Sequence, residues 1–275
     1  MVFGLRYLCD QLTVTRQGYY KWMRPKNGVR HKENERISDL IKNIFIEHRG
    51  NYGSPRIHAE LRRRGHCVNR KRVARLMKEM GLIGKAGKIY RRKPLPKNRC
   101  IKVPNVLRDE GVPKRPNQQW VGDVTYLKRK GRWMYLAVVL DLYTRRVVGW
   151  ELSHARTSEL TLAAISRAIR RYPVRSKLIF HSDRGSEYGS YRYQDQLSRW
   201  GITASMNRPS SMNDNVYIES FFQSLKTESF KQMTFRSEAE LRMTLADYID
   251  RYYNQERLHS ALGFKTPAEY EKLAA

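Results

Sequence analysis

Acidic residues are scarce in this chain: 26 Asp and Glu stand against 54 Lys and Arg in 275 residues, for a formal net charge of +28. The imbalance excludes a cationic partner and points to a polyanion, either nucleic acid or an anionic membrane surface. Cysteine is scarcer still. Cys9, Cys67 and Cys100 are isolated and odd in number, which excludes a disulfide framework and a CxxC zinc site and suits a reducing cytoplasm. Long apolar runs are also missing: none approaches the roughly 20 residues that a spanning helix needs, and no signal peptide is read. No membrane span is expected. The length is nevertheless enough to bury a real core, as one main domain and a smaller one.

What is present is unevenly spread. Residues 1–116 carry 30 Lys and Arg against 9 Asp and Glu, whereas 117–275 carry 24 against 17, so the basic excess belongs to the front of the chain. Residues 5–12 read as one short helix, and the aromatic, basic run from Thr15 to Trp22 as a small packing element. Residues 34–48 set Ile37, Leu40, Ile41, Ile44 and Phe45 at helical spacing. Ser54 and Pro55 then read as a helix start, with a capping hydroxyl and a proline at the first helical position. Gly65 interrupts that helix, and Asn69 caps another whose Val73, Leu76, Met77 and Met80 form an apolar stripe ending at Gly81. Two short helices about a glycine turn make a helix-turn-helix candidate over about 54–81.

The face away from the stripe carries Lys71, Arg72, Arg75 and Lys78, with Arg70 at its amino end. A charged face is ordinarily just solvated. Here residues 49–99 hold 17 Lys and Arg with only Glu60 and Glu79 as acids, beyond what solubility requires, so DNA contact is expected. The domain reading is a helical DNA-binding region over 1–83, a basic linker over 84–116 and a catalytic domain over 117–275. Residues 84–99 lack any apolar period and read equally as a track for phosphates or as a solvated connector.

Beyond the linker, residues 120–127, 133–140 and 145–151 are β-rich and broken at Lys130-Gly131 and Tyr143-Thr144, an antiparallel meander. A helix over 157–172, a strand over 178–180, a helix over 191–200, a strand over 202–206, a helix opening at Asp214 and a last helix over 238–253 follow. The order βββαβαβα, with helices covering a mixed sheet, is the pattern of an α/β domain of the ribonuclease-H-like type. Asp183 ends its strand just before a glycine turn, at the rim where open α/β sheets bind ligands. Asp123 lies on the first strand, and Glu219 lies on the helix after the last strand, with 35 residues between it and Asp183. Three carboxylates so placed suit Mg²⁺ or Mn²⁺, hard cations that prefer oxygen donors, and hence phosphodiester chemistry. Glu219, Gln223 and Lys226 share one helix face. His181 reads as a packing or orienting residue and Asp141 as a turn former.

Trp120-Val121-Gly122-Asp123-Val124-Thr125-Tyr126, His181-Ser182-Asp183-Arg184-Gly185, Glu219-Ser220-Phe221-Phe222 and Leu225-Lys226-Thr227-Glu228 together resemble the insertion-sequence transposases. More narrowly, the chain is similar to second-frame (OrfB) products of the IS-three family, whose catalytic domain is similar to retroviral integrases. Tyr52-Gly53 with Arg56-Ile57, and Val68-Asn69 through Gly81-Leu82, resemble that family's helix-turn-helix segment. Tyr253-Asn254, Arg257, His259, Leu262-Gly263 and Thr266-Pro267 resemble its carboxyl-terminal signature. The resemblance implies that Asp123, Asp183 and Glu219 are catalytic and hold two divalent ions per site, Mg²⁺ or Mn²⁺. It implies that Lys226 touches transposon-end DNA and that Arg56 belongs to the DNA-binding helices. It further implies strand cleavage and 3′-OH strand transfer on double-stranded DNA, both transposon ends and target, by a homo-oligomer. An upstream-frame (OrfA) partner or fusion and a cytoplasmic, nucleoid-associated location also follow from it. Val216, Glu187 and the segment from Ser210 to Asn213 depart from the family pattern without touching the three acids. Two rival readings are a catalytically inactive DNA-binding regulator derived from a transposase and an RNA-cleaving ribonuclease H.

Overall fold

A computed structural model of the chain describes residues 4–23, 29–85, 103–208, 215–230 and 233–274. Most of the expected linker, 86–102, lies outside them, as do Asp214 and the segment from Ser210 to Asn213. The chain divides into two compact units, Met1–Gly84 and Lys85–Ala275.

The first unit is all helical, with α1 (Leu5–Gln11), α2 (Arg16–Met23), α3 (Val29–Glu47), α4 (Ser54–Arg63) and α5 (Arg70–Glu79). The last three pack together because each buries the stripe its spacing creates: Ile37, Ile41 and Ile44 on α3, Ile57 and Leu61 on α4, Val73, Leu76 and Met77 on α5. The Asn69 side chain caps α5 by accepting from the Lys71 amide at 2.8 Å. The expected Ser54 cap is corrected by one residue: Ser54 is already helical, extended Gly53 is the N-cap, and no side chain caps it. Pro55 still lies in the first turn.

The second unit is built on a five-stranded sheet in the order β3-β2-β1-β4-β5, from β1 (Gln119–Arg129), β2 (Arg132–Asp141), β3 (Val147–Ser153), β4 (Leu178–Ser182) and β5 (Ile202–Met206). The first three strands are antiparallel, and β4 and β5 join parallel to β1. Side chains alternate across β1. Val121 and Leu127 face one cluster with Ile218, Phe221, Phe222 and Leu225 of α9 (Val216–Leu225). Trp120 and Val124 face the other, covered by α7 (Ser158–Arg171) and α8 (Tyr191–Arg199). The described part of the stretch read as linker is folded: Val103 is buried, and α6 (Val106–Glu110) hangs on β5 through the Leu107 amide, which donates to Ser205 Oγ at 3.0 Å.

α9 runs on into a π-helical segment, Lys226–Phe230, and α10 (Glu238–Ala246) into another, Asp247–Glu256, before a 3₁₀ turn and α11 (Pro267–Leu273). The expected helix over 238–253 is therefore two hydrogen-bonding patterns in one rod. Asn254 pins its end to the sheet, Oδ1 accepting from the Val147 amide and Nδ2 donating to the Val147 carbonyl, both at 3.0 Å.

Contact between α7 and β3 depends on Gly149. A Cβ built there would stand 2.3 Å from the Ala164 carbonyl oxygen, a backbone atom with no rotamer to yield. Gly149→Ala should cost about 1–3 kcal/mol through overpacking. A melting temperature equal to wild type would show that the helix rides up at no cost.

Candidate active site

The parallel register between β1 and β4 sets Gly122 opposite Ser182, so Asp123, within β1, lies beside Asp183, the residue that follows the carboxyl end of β4. Asp123 is 1% exposed and pairs across the sheet with Val138, on the face covered by α9. Its Oδ1 accepts from the Val124 amide at 2.7 Å. Asp183 heads a tight turn in which its Oδ1 accepts from the Gly185 amide at 2.9 Å. Both carboxylates act on the same neighbours. Burial, followed by the fields of Asp123 and Asp183, pushes the Tyr188 phenol well above its usual range.

Arg156, just before α7, is the cation of this corner. Its Nε and a terminal nitrogen donate to Glu187 Oε1 at 2.9 and 2.6 Å, and Glu187 is itself buried. Burial opposes the Arg156 charge, but Glu187 by hydrogen bond and field, then Asp183 and Asp123 by field, raise the guanidinium above its ordinary value. A Cβ at Gly185 would lie 2.6 Å from the Glu187 carboxylate, so a larger residue there would have to displace that side chain from Arg156. Sequence reading missed Arg156, whose only signal is that a buried acid at 187 needs a cation.

Glu219 occupies the first turn of α9, over the same sheet face as Asp123 and partly exposed. Among the described residues, no three His, Cys, Asp or Glu side chains lie close enough to hold one ion. The fold thus brings Asp123 and Asp183 together and puts the helix of Glu219 over them without closing the triad. Lys226, seven residues after Glu219 and the first residue of the π-helical segment, rests its Nζ 4.7 Å from the centre of the Tyr126 ring on β1. The other polar residues flanking the rim are structural. His181 is fully buried, with Nδ1 2.9 Å from Ser205 Oγ and Nε2 2.5 Å from Asn207 Oδ1, tying β4 to β5. Asp141 accepts from the Asn117 and Thr144 amides and the Thr144 hydroxyl, while burial pushes its carboxyl up.

In the helical unit, Arg70, Lys71 and Lys78 point to solvent. Arg72 does not: it forms an ion pair with Glu33 at 3.0 Å and donates to Asn34 of α3 at 2.9 Å. Arg75 pairs with Glu79 at 3.1 Å one turn away, and the Arg56 guanidinium lies 5.6 Å from the Tyr52 ring centre. Arg72 is thus engaged in packing α5 on α3, whereas a surface i,i+4 pair such as Arg75–Glu79 is weak enough for a phosphate to displace.

Two family models of the integrase core domain match residues 113–212 and 200–267, and a model of an HTH-like domain matches 32–93. Transposase InsF for insertion sequence IS3A of Escherichia coli is 36% identical over 276 residues, 98% of this chain and 94% of that protein. An uncharacterized 31 kDa protein of insertion element IS600 from Shigella sonnei is 36% identical over 98% of this chain and 100% of its own length. The transposase for insertion sequence element IS904 of Lactococcus lactis is 37% identical over 87% of this chain and 95% of itself. Among solved structures, the simian T-cell lymphotropic virus intasome aligns with a TM-score of 0.50 at 16% identity, over 80% of this chain and 74% of that one, a likeness of fold.

Proposed function

The chain belongs to the IS3-type insertion-sequence transposases, and from that premise we propose that it cuts and rejoins DNA at its element's ends using Asp123, Asp183 and Glu219. The integrase core makes it a polynucleotidyl transferase. The single observation that supports the residue assignment is the strand register, in which Asp123 lies beside Asp183 where β4 ends. Two neighbouring carboxylates with a third on the helix above them form an all-oxygen donor set, the kind that suits Mg²⁺ or Mn²⁺. Two such ions, when bound, lower the barrier by activating the attacking oxygen and stabilising the leaving one. Glu219, in the first turn of the helix over the same sheet face, would supply the third carboxylate.

The remaining work falls to the chain's own groups. Lys226 would hold a phosphate next to the scissile bond, and Arg70, Lys71 and Lys78, with Arg56 and Arg75, would grip duplex phosphates beside the helix-turn-helix. Arg156, held by Glu187 and within the fields of Asp183 and Asp123, would add a positive charge beside the two aspartates. In the first reaction, water attacks phosphorus and the P–O3′ bond at the element end breaks, the freed 3′ oxygen taking a proton. In the second, that 3′-OH attacks another phosphodiester and releases its 3′ oxygen. Two ends must be held at once, so a homo-oligomer on DNA is the working form, acting at the nucleoid with or without an upstream-frame partner or fusion.

The test is cleavage of duplex DNA carrying the element's own flanks. Purified chain with Mg²⁺ should nick at the 3′ ends, and EDTA should abolish nicking while a shifted DNA complex remains. Nicking that persists in EDTA would overturn the metal-dependent reading.

A further inference from the structure

The hairpin that carries Asp123 outruns its neighbour on one side. β4 stops at Ser182 opposite Gly122, whereas β1 continues to Arg129 paired only with β2. The register places Lys128 opposite Trp133 and Tyr126 opposite Tyr135, so these four side chains share one face. Tyr126 and Trp133 are left 58% and 50% exposed, with ring centres 5.0 Å apart in an edge-to-face pair at 87°. A lysine rests near each: Lys226 Nζ is 4.7 Å from the Tyr126 ring centre and Lys128 Nζ is 6.0 Å from that of Trp133. Lys130 and Gly131 turn the tip with φ of 42° and 79°, and Arg129 and Arg132 flank them. No acid occurs from Val124 to Leu140.

Exposed rings in a cationic surround suit a polyanion with flat apolar groups. A second copy of this chain, at net charge +28, would bring like charge to the tip. A nucleic-acid base stacks on an aromatic face with more free energy than an exposed lysine gains from the same face. The base would take the ring and the displaced ammonium would move to the adjoining phosphate. Tyr126 is three residues along the strand from Asp123, about 10 Å, with its side chain on the other face of β1, so a strand end crossing the edge of the sheet beyond β4 would reach the rings within a few nucleotides of the acids.

We propose that Tyr126 and Trp133 form a stacking platform for an unpaired DNA base beside the cleaved strand, with Lys226, Lys128 and the hairpin tip holding the flanking phosphates. The inference rests on the DNA-cutting reading, so its test is made without cutting. In EDTA, the full chain is titrated by fluorescence anisotropy against a mixed-sequence duplex, blunt or with a short single-stranded 3′ extension. Wild type should prefer the extended duplex by about tenfold. Tyr126→Ala with Trp133→Ala should remove that preference while blunt-duplex affinity stays within about twofold. Tyr126→Phe with Trp133→Phe should keep it, and Tyr126→Leu with Trp133→Leu, which retain apolar bulk, should lose it. No preference in wild type, or a preference that survives in the alanine and leucine chains, overturns the platform. So does a loss of self-association in those chains with the preference intact, which assigns the rings to contact between copies. Because no step needs a metal, a failed platform leaves the nicking result standing, and a chain that never nicks can still display the platform.

Discussion

Asp183→Asn and Glu219→Gln chains are expected to nick end-bearing DNA about a thousandfold more slowly than wild type in Mg²⁺, and to bind that DNA within about twofold of it. Each change keeps the side chain's size and replaces a charged oxygen donor by an amide that binds a hard cation poorly. A thousandfold is about 4 kcal/mol of barrier, within what ion-supported charge stabilisation provides. Asp123→Asn should behave alike, since β1 and β4 hold the two aspartates as neighbours. A second signature separates loss of an ion site from loss of structure. The amide keeps the side chain's size and can still accept from the Gly185 amide, so Asp183→Asn should melt near wild type in EDTA. Added Mg²⁺ should raise the melting temperature of wild type, as any ligand of the folded state does, and leave that of Asp183→Asn unchanged. Equal nicking by all chains, or equal Mg²⁺ stabilisation, would remove these carboxylates from the chemistry.

Period carried most of the fold. The alternation of Val121 and Leu127 against Trp120 and Val124 reads directly as a strand buried on both faces, and the stripe of Ile218, Phe221, Phe222 and Leu225 as the helix over it. The strand-end position of Asp183 was legible because an apolar run stops there at a glycine turn. Features resting on distant partners were not. Arg156 meets Glu187 31 residues away, and Asn254 grips Val147 across 107, and neither leaves a local pattern. The π-helical continuation after Ala246 was hidden because Leu245, Tyr248, Ile249, Tyr252 and Tyr253 keep the i+3, i+4 spacing of an ordinary helix. α6 was missed for the opposite reason: five residues are too few to show a period. Closure of Glu219 onto the aspartates was expected from the placement of three acids on two strands and a helix and from the family resemblance. The structure sets its helix over the sheet face of Asp123, and among the described residues no three such side chains gather closely enough to hold one ion.

Glu228→Ala is expected to unfold the catalytic unit about 10 °C below wild type, the second large effect and the one least visible in sequence. Glu228 lies in the π-helical segment that begins at Lys226, and Arg257 ends the long carboxyl-terminal rod. They are 7% and 5% exposed. Arg257 Nε and a terminal nitrogen donate to the Glu228 carboxylate at 2.8 and 2.7 Å, the same guanidinium donates to Ser224 Oγ at 3.0 Å, and the Tyr248 hydroxyl donates to Glu228 at 2.8 Å. Burial opposes the Arg257 charge, and the Glu228 carboxylate more than restores it. Removing the acid strands a buried cation, which costs about 3–5 kcal/mol, equivalent to the stated drop for a unit of this size. Glu228→Gln keeps the acceptor and should fall between the two. Glu228→Met with Arg257→Met removes both charges and should recover most of the loss, since a buried pair contributes little against well-packed apolar groups. The pair also joins α9, with Glu219 and Lys226, to the rod that Asn254 anchors on β3. The double-methionine chain should therefore melt near wild type yet nick more slowly, with DNA affinity unchanged, because the end of the helix that carries Glu219 has lost its directional tie. Wild-type nicking in that chain would reduce the network to a stability element.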